Sequence, residues 1–142
     1  MTAYLNYYTG VQAVVPFMKN LMVKNEVKID CATNVRLVAD TDRCLPIPAY
    51  AHVLKVSGYA VTGEASVTVS LGDSVAADGW DSAGDVGTTG NKIGPVAGTD
   101  ANIGGYYYSA ADYVLLTWGG ATANSLILLV AIEYSVMETA LA

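Results

Sequence analysis

From Glu26 onward the chain alternates. Val27, Ile29 and Cys31 are separated by Lys28 and Asp30. A half-buried strand has this period of two because successive side chains point to opposite faces. Val35, Leu37 and Ala39 continue it less strictly against Arg36 and Asp40, predicting two strands of one hairpin or neighbouring strands. Thr41-Asp42-Arg43 breaks the pattern. Leu45-Pro46-Ile47-Pro48 predicts a stiff extended segment, because proline fixes its own φ and biases the residue before it away from helix. Tyr50 to Val61 predicts a strand with Leu54 and Val56 on one face, Lys55 and Ser57 on the other, and a bulge at Gly58. The cleanest amphipathic strand follows: Ala65, Val67, Val69 and Leu71 alternate with Ser66, Thr68 and Ser70.

Near the C-terminus the alternation gives way to the longest apolar run, from Ser125 to Tyr134, after a Gly119-Gly120 turn. It is far shorter than the ~20 residues that span a bilayer. Leu126, Leu128, Val130, Ile132 and Tyr134 would form one face, and Ile127, Leu129 and Ala131 the other. Such a strand is apolar on both sides, so the rest of the chain or another copy must cover the second face.

Two segments lack a strand rhythm. In residues 1–24, Val11, Val14, Val15, Met18, Leu21 and Met22 fall at helical spacing, but Pro16 interrupts them. The expectation is extended structure or one short helix from Pro16, in an arm that packs on a neighbour. The second segment, Gly72 to Gly105, holds nine of the fourteen glycines, five aspartates and one basic residue, Lys92. Loops this long are usually functional or ordered by a partner. Ile93, Val96 and Ile103 predict a short edge strand within it. Order resumes at Tyr106-Tyr107-Tyr108, and Tyr113 to Trp118 reads as a further strand. About eight short strands with Gly- and Pro-bearing turns predict an all-β fold, a β-sandwich of jelly-roll type. Residues 1–24 would be its extended N-terminal arm and residues 25–142 the sandwich domain.

Composition narrows the function. Hydrophobic residues make up 53% and charged residues 14%, against about 25% charged in an ordinary soluble domain. A chain so poor in charge often hides more of its surface than a monomer does. The net charge of −6 argues against nucleic acid or an anionic membrane as partner. No basic stretch followed by an apolar one opens the chain, which argues against a secretory signal. Cys31 and Cys44 stand thirteen apart without a C-x-x-C pair, so they predict buried thiols rather than a zinc site or a disulfide framework.

Catalytic signatures are missing. His52 is the single histidine, and no G-x-S-x-G, H-E-x-x-H, P-loop or G-x-G-x-x-G is present. No enzyme and no cofactor are expected. Asp73, Asp78, Asp81 and Asp85 are the one candidate for a hard cation, but they lack the alternate-position spacing of an EF-hand and read as turn aspartates. Ten tyrosines stand against one phenylalanine. Large rings with a polar tip suit interfaces, and they also suit stacking on sugars. Consecutive tyrosines in a strand point to opposite faces, so at most two of Tyr106, Tyr107 and Tyr108 share a platform.

The order of these pieces resembles a known group. Leu45-Pro46-Ile47-Pro48-Ala49 leads into His52-Val53-Leu54-Lys55-Val56. Val67-Thr68-Val69-Ser70-Leu71-Gly72-Asp73 is followed by Asp78-Gly79-Trp80, then by Asp112-Tyr113-Val114-Leu115-Leu116-Thr117 and the closing Leu129-Val130-Ala131-Ile132-Glu133-Tyr134. This pattern, over residues 45–134, resembles small structural proteins of tailed bacteriophages, often carried on the head as decoration or cement proteins. Its most specific parts are Leu-Gly-Asp after an alternating strand and Asp-Gly-aromatic soon after.

The resemblance implies a non-enzymatic virion component on the capsid exterior, made in the host cytoplasm. Its partners would be the major capsid protein and itself, as a homotrimer. Expected subunit or capsid contacts are Tyr4, Tyr7, Tyr8, Phe17 and Met18 in the arm, and Trp80, Ile93, Val96, Tyr106 and Tyr107 in and after the loop. A tail, neck or fibre-associated virion protein and a carbohydrate-binding β-sandwich module are the alternatives.

Overall fold

A computed structural model of the chain describes residues 22–95 and 100–136. Among them the chain forms nine strands and no helix. They are β1 (Met22–Asp30), β2 (Thr41–Ile47), β3 (Ala51–Thr62), β4 (Thr68–Gly72), β5 (Asp81–Asp85), β6 (Lys92–Ile93), β7 (Tyr106–Tyr108), β8 (Asp112–Gly119) and β9 (Ile127–Val136). They build two antiparallel sheets. The first runs β1-β9-β3-β6, with β7 also paired to β3; the second runs β2-β8-β4-β5. Strand β1 begins at Met22, inside the segment read as arm, and the short helix expected from Pro16 lies outside the described residues.

The inward rows of both sheets meet in one core. Val67, Val69 and Leu71 bury fully, as their alternation predicts, and Val114, Leu116 and Trp118 of the neighbouring β8 bury in the same core. Strand β9 contributes Leu128, Val130 and Ile132 and lies between β1 and β3, hydrogen-bonded to both. Of the two apolar faces read from the sequence, the one with Leu128, Val130 and Ile132 turns inward. Its outer face, Ile127, Leu129 and Ala131, is only half-buried.

Three expectations are corrected. Residues 35–39 do not pair with β1, whose partner is β9. After β1 the chain turns: the amides of Thr33 and Asn34 donate to the Asp30 carbonyl, and the Ala32 amide donates to the Asp30 carboxylate. It then crosses to the second sheet through an isolated Arg36–Ala123 bridge, leaving Val35, Leu37 and Val38 exposed. Period two reports a half-buried extended chain and does not name its partner.

Thr41-Asp42-Arg43, read as a break, opens β2. Its apparent fault is Asp42, which lies opposite the buried Leu116 yet accepts hydrogen bonds from Trp118 Nε1 (2.7 Å) and Arg36 Nε (2.8 Å). A carboxylate so paired is tolerated at a partly buried position. Pro46 fits because β2 is an edge strand, where a missing N–H breaks no ladder.

In β3 the register against β9 shifts twice, between Ala60 and Thr62 and between Val53 and Lys55; the latter leaves Val53 and Val56 both buried and Leu54 turned outward. Gly58 is not bulged. It lies between Val130 and Ile93, and a Cβ there would stand 2.8 Å from Ile93 Cγ1. Close approach, rather than a bulge, is what excludes a side chain.

Candidate assembly surface

The long glycine-rich segment folds back onto both sheets. β5 completes the second sheet and β6 borders β3, whereas Ile103 sits exposed in a turn rather than in an edge strand. A buried polar chain fixes the segment's first part. Trp80 Nε1 donates to Tyr108 Oη (3.1 Å), and Tyr108 Oη donates to Asp73 Oδ2 (2.7 Å). All three residues are buried. Burial, reinforced by that bond to Asp73, raises the Tyr108 pKa well above the ordinary phenol range.

The other oxygen of Asp73 holds a turn. Oδ1 accepts from the amides of Val75 (2.9 Å) and Ala76 (2.8 Å), and the Asp73 amide donates to the Ala76 carbonyl (2.9 Å). From outside, Asp112 accepts from the Ser74 amide (3.2 Å) and hydroxyl (2.9 Å). The turn over residues 73–79 is therefore pinned from the core and from β8. At its tip stands Val75, 91% exposed, the most exposed large apolar residue described. A side chain so exposed buries little area in the fold. It is arranged like a contact residue, because a rigid group loses little entropy when it docks.

Aromatic residues surround this end. Tyr106 and Tyr107 are 48% and 41% exposed, and Tyr50 is 44% exposed at φ 64°, a conformation that L residues seldom adopt. Strand pairing puts Tyr107 opposite His52, and Tyr106 and Tyr108 opposite Val53 and Ala51. Tyr106 meets the anchored Tyr108 edge-on, with ring centroids 4.8 Å apart. Two of the three consecutive tyrosines thus share a face, one as anchor and one as surface. Together with the turn they line an open hollow.

Three acids of the long segment, Asp73, Asp81 and Asp85, serve its backbone. Asp81 Oδ2 accepts from the Gly94 amide (2.7 Å), and Asp85 Oδ1 accepts from the Gly87 amide (2.7 Å). Burial raises the Asp81 pKa, and the nearby charge of Asp100 adds to it. Glu64 does the same work at the other end: its Oε1 accepts from the amides of Asn124, Ser125 and Leu126 at 2.9, 2.9 and 3.0 Å. Partial burial pushes Glu64 upward, but the bonds from Ser125, Asn124 and Leu126 outweigh it and hold the carboxyl below the usual range. Among the described residues, no three His, Cys, Asp or Glu side chains converge as metal ligands would. The two thiols are free, and burial pushes Cys31 up to about 11 and Cys44 up to about 12, so both stay protonated at neutral pH.

The outer face of the first sheet has a different character. Register aligns Lys24, Glu133 and Lys55 in one row, Glu26, Ala131 and Ser57 in the next, and Lys28, Leu129, Tyr59 and Lys92 in a third. All four lysines of the described residues stand on this face. Lys24 and Glu26 form an exposed ion pair at 3.4 Å. Small residues at the centre, Ala131 and Ser57, leave a groove of about 620 Å³ with Leu129 and Ala131 in its floor and Lys24, Lys55 and Lys92 along its sides.

Of the residues expected at contacts, Tyr106 and Tyr107 are on the surface. Trp80 is fully buried and Ile93 nearly so, both as parts of the core. Their loop is closed by strand pairing that no local pattern reveals. Tyr4, Tyr7, Tyr8, Phe17, Met18 and Val96 lie outside the described residues. Val75, Tyr50 and the lysine rows were missed. The Lys24-Glu26-Lys28 alternation signalled one edge of those rows, but nothing local joins it to Lys55 and Lys92.

No family model matches the chain, and no curated protein is significantly similar to it. Solved structures do share its fold. A chain in the Cyanophage Pam1 capsid asymmetric unit superposes with a TM-score of 0.56 at 19% identity, covering 82% of this chain and 84% of that one. A chain in the acidic stable capsid structure of Helicobacter pylori bacteriophage KHP30 gives 0.53 at 14% identity, covering 83% and 90%. A chain in the capsid of Ralstonia phage GP4 gives 0.64 at 12% identity, covering 84% and 86%.

Proposed function

We propose that the chain is a non-enzymatic structural protein of a bacteriophage virion, a decoration or cement protein that binds the outer surface of the head and works as a homotrimer. The observation that carries this reading is the fold: three chains sharing it over more than four fifths of their length all belong to phage capsid structures. The strand orders support a sandwich of jelly-roll type. Each sheet interleaves early and late strands, β1-β9-β3-β6 facing β2-β8-β4-β5, as two nested Greek keys do.

Such a protein acts by differential binding. A clamp that fits the assembled shell and not its loose subunits stabilises the shell by mass action. Many copies bound through several contacts add to that effect. Of the described residues expected at contacts, Tyr106 and Tyr107 are the two on the surface, and these are assigned to contacts with capsid or subunit. The carbohydrate-binding alternative gains little from the hollow beside them. There Asp73 and Asp112 already accept hydrogen bonds from the protein's own backbone, so few polar groups remain to orient a sugar.

The test is sedimentation of the purified chain with phage heads lacking it. Saturable co-sedimentation, with heads that then withstand a higher temperature, is the expected result. Binding to purified tails and not to heads would move the assignment to a tail or neck component, and binding to neither would overturn it.

A further inference from the structure

We propose that copies of this chain join head to tail, the Val75 turn of one copy entering the lysine-walled groove on the first sheet of the next. The inference rests on the homo-oligomer in the proposed function and names its contact. Three observations converge. The first is charge. Four lysines against two glutamates leave the groove face at +2 in a chain of −6, so the remaining residues carry −8. A second copy is therefore a partner of matching sign. The turn carries the exposed Asp78, and the half-buried Asp112 lies beside it, bonded to Ser74.

The second is shape and polarity. The groove has an apolar floor, Leu129 and Ala131, that the described residues leave half-covered. The turn offers the most exposed large apolar side chain, Val75. An apolar knob with an acidic rim meets an apolar floor with a basic rim. The third is rigidity. Five hydrogen bonds to Asp73 and Asp112 or between Asp73 and Ala76 fix the turn, so docking costs little ordering. Knob and groove are different patches on one molecule, which makes the contact heterologous: each copy donates one and receives one, and a suitable rotation closes a ring.

A heterologous contact has a test that a self-complementary one fails. Val75→Lys spoils the knob, by setting a cation against the groove lysines, and leaves the groove. Lys55→Glu with Lys92→Glu spoils the groove and leaves the knob. Each variant of the full chain, followed by light scattering after size exclusion, is expected to be monomeric where the parent is oligomeric. Its association constant should fall at least tenfold, with unchanged circular dichroism and fluorescence from the buried Trp80 and Trp118. Mixed in equal amounts, the two variants are expected to form a dimer that grows no further, since each retains the half the other lacks. Raising salt from about 50 mM to about 500 mM should weaken the parent's association severalfold.

Val75→Ser and Lys92→Ala, milder changes, serve if either first variant misfolds. Variants that keep the parent's mass, or two monomers that ignore each other when mixed, overturn the contact. A parent that is monomeric at every concentration also overturns it. Sedimentation with heads separately decides the capsid reading: a monomer that still binds heads sinks the contact alone.

Discussion

Replacing Tyr108 by Phe removes a single oxygen from the interior, and the structure says what that oxygen does. It donates to Asp73 Oδ2 at 2.7 Å and accepts from Trp80 Nε1 at 3.1 Å. The ring keeps its packing, so no cavity opens. A hydrogen bond to a charged group contributes about 1.5–3 kcal/mol, and a buried donor left unsatisfied costs about 1–3 kcal/mol. Asp73 retains two backbone amides on its other oxygen, which places its share at the lower end. Tyr108→Phe should therefore cost about 2–4 kcal/mol. At roughly 3–4 °C per kcal/mol for a chain of this size, the Tm should fall by about 10 °C.

Urea unfolding followed by tryptophan fluorescence measures the loss, and a double-mutant cycle with Asp73→Asn isolates the Tyr108–Asp73 term. The pH dependence has a definite sign. The folded phenol pKa is raised, so the stabilisation is complete below the ordinary phenol value of about 10 and is lost as pH climbs above it. The parent should weaken in that alkaline range more than Tyr108→Phe does. A loss below about 0.5 kcal/mol at neutral pH would refute the network as a structural element.

Glu64→Gln should cost about 1 kcal/mol at neutral pH, a figure already discounted for the exposure of the site. Because the folded carboxyl pKa is lowered, that stabilisation is present above the ordinary value and lost as pH falls through the folded one. Denaturation curves of parent and variant should converge in acid. Trp80→Ala should cost about 3–5 kcal/mol, because it empties a fully buried site, whereas Tyr107→Ala should change stability by less than about 1 kcal/mol yet weaken binding to heads or neighbours. Thermal melts beside sedimentation separate the two, and equal melting losses would refute the distinction. Gly58→Ala should cost about 1–3 kcal/mol by pressing on Ile93, with partial recovery in the double variant carrying Ile93→Ala; an unchanged Tm for the single variant would mean that β6 moves aside freely.

The strand with the cleanest alternation, β4, was the most legible. Its buried residues Val69 and Leu71 are the ones the alternation names, because a sheet facing one core must put every second residue inward. Legibility failed where a partner, and not a pattern, decides. Residues 35–39 alternate and still form no ladder, since a bridge to Ala123 carries them to the other sheet. Leu54 should have followed Val56 inward, but a one-residue bulge reverses it. Trp80 and Ile93 stood in a glycine-rich stretch without period, and only pairing with β4 and β3 draws that stretch into the core.

Sequence alone therefore determined the class of the protein: strands of the right length, a strongly apolar closing strand, no signature of catalysis and an acidic balance. Those are sums over local chemistry, and each residue contributes wherever it ends up. The tertiary structure decided which surface each charge occupies. Most acids whose contacts are seen became acceptors for turn amides, some within three residues, as at Asp73 and Asp85, and others distant in the chain, as Gly94 is from Asp81 and Leu126 from Glu64. Lysines 24, 28, 55 and 92 became one face because β9 pairs with β1 and β3, and β6 adds to β3. Antiparallel register converts separations of tens of residues into neighbouring rows, and no window along the chain contains that information.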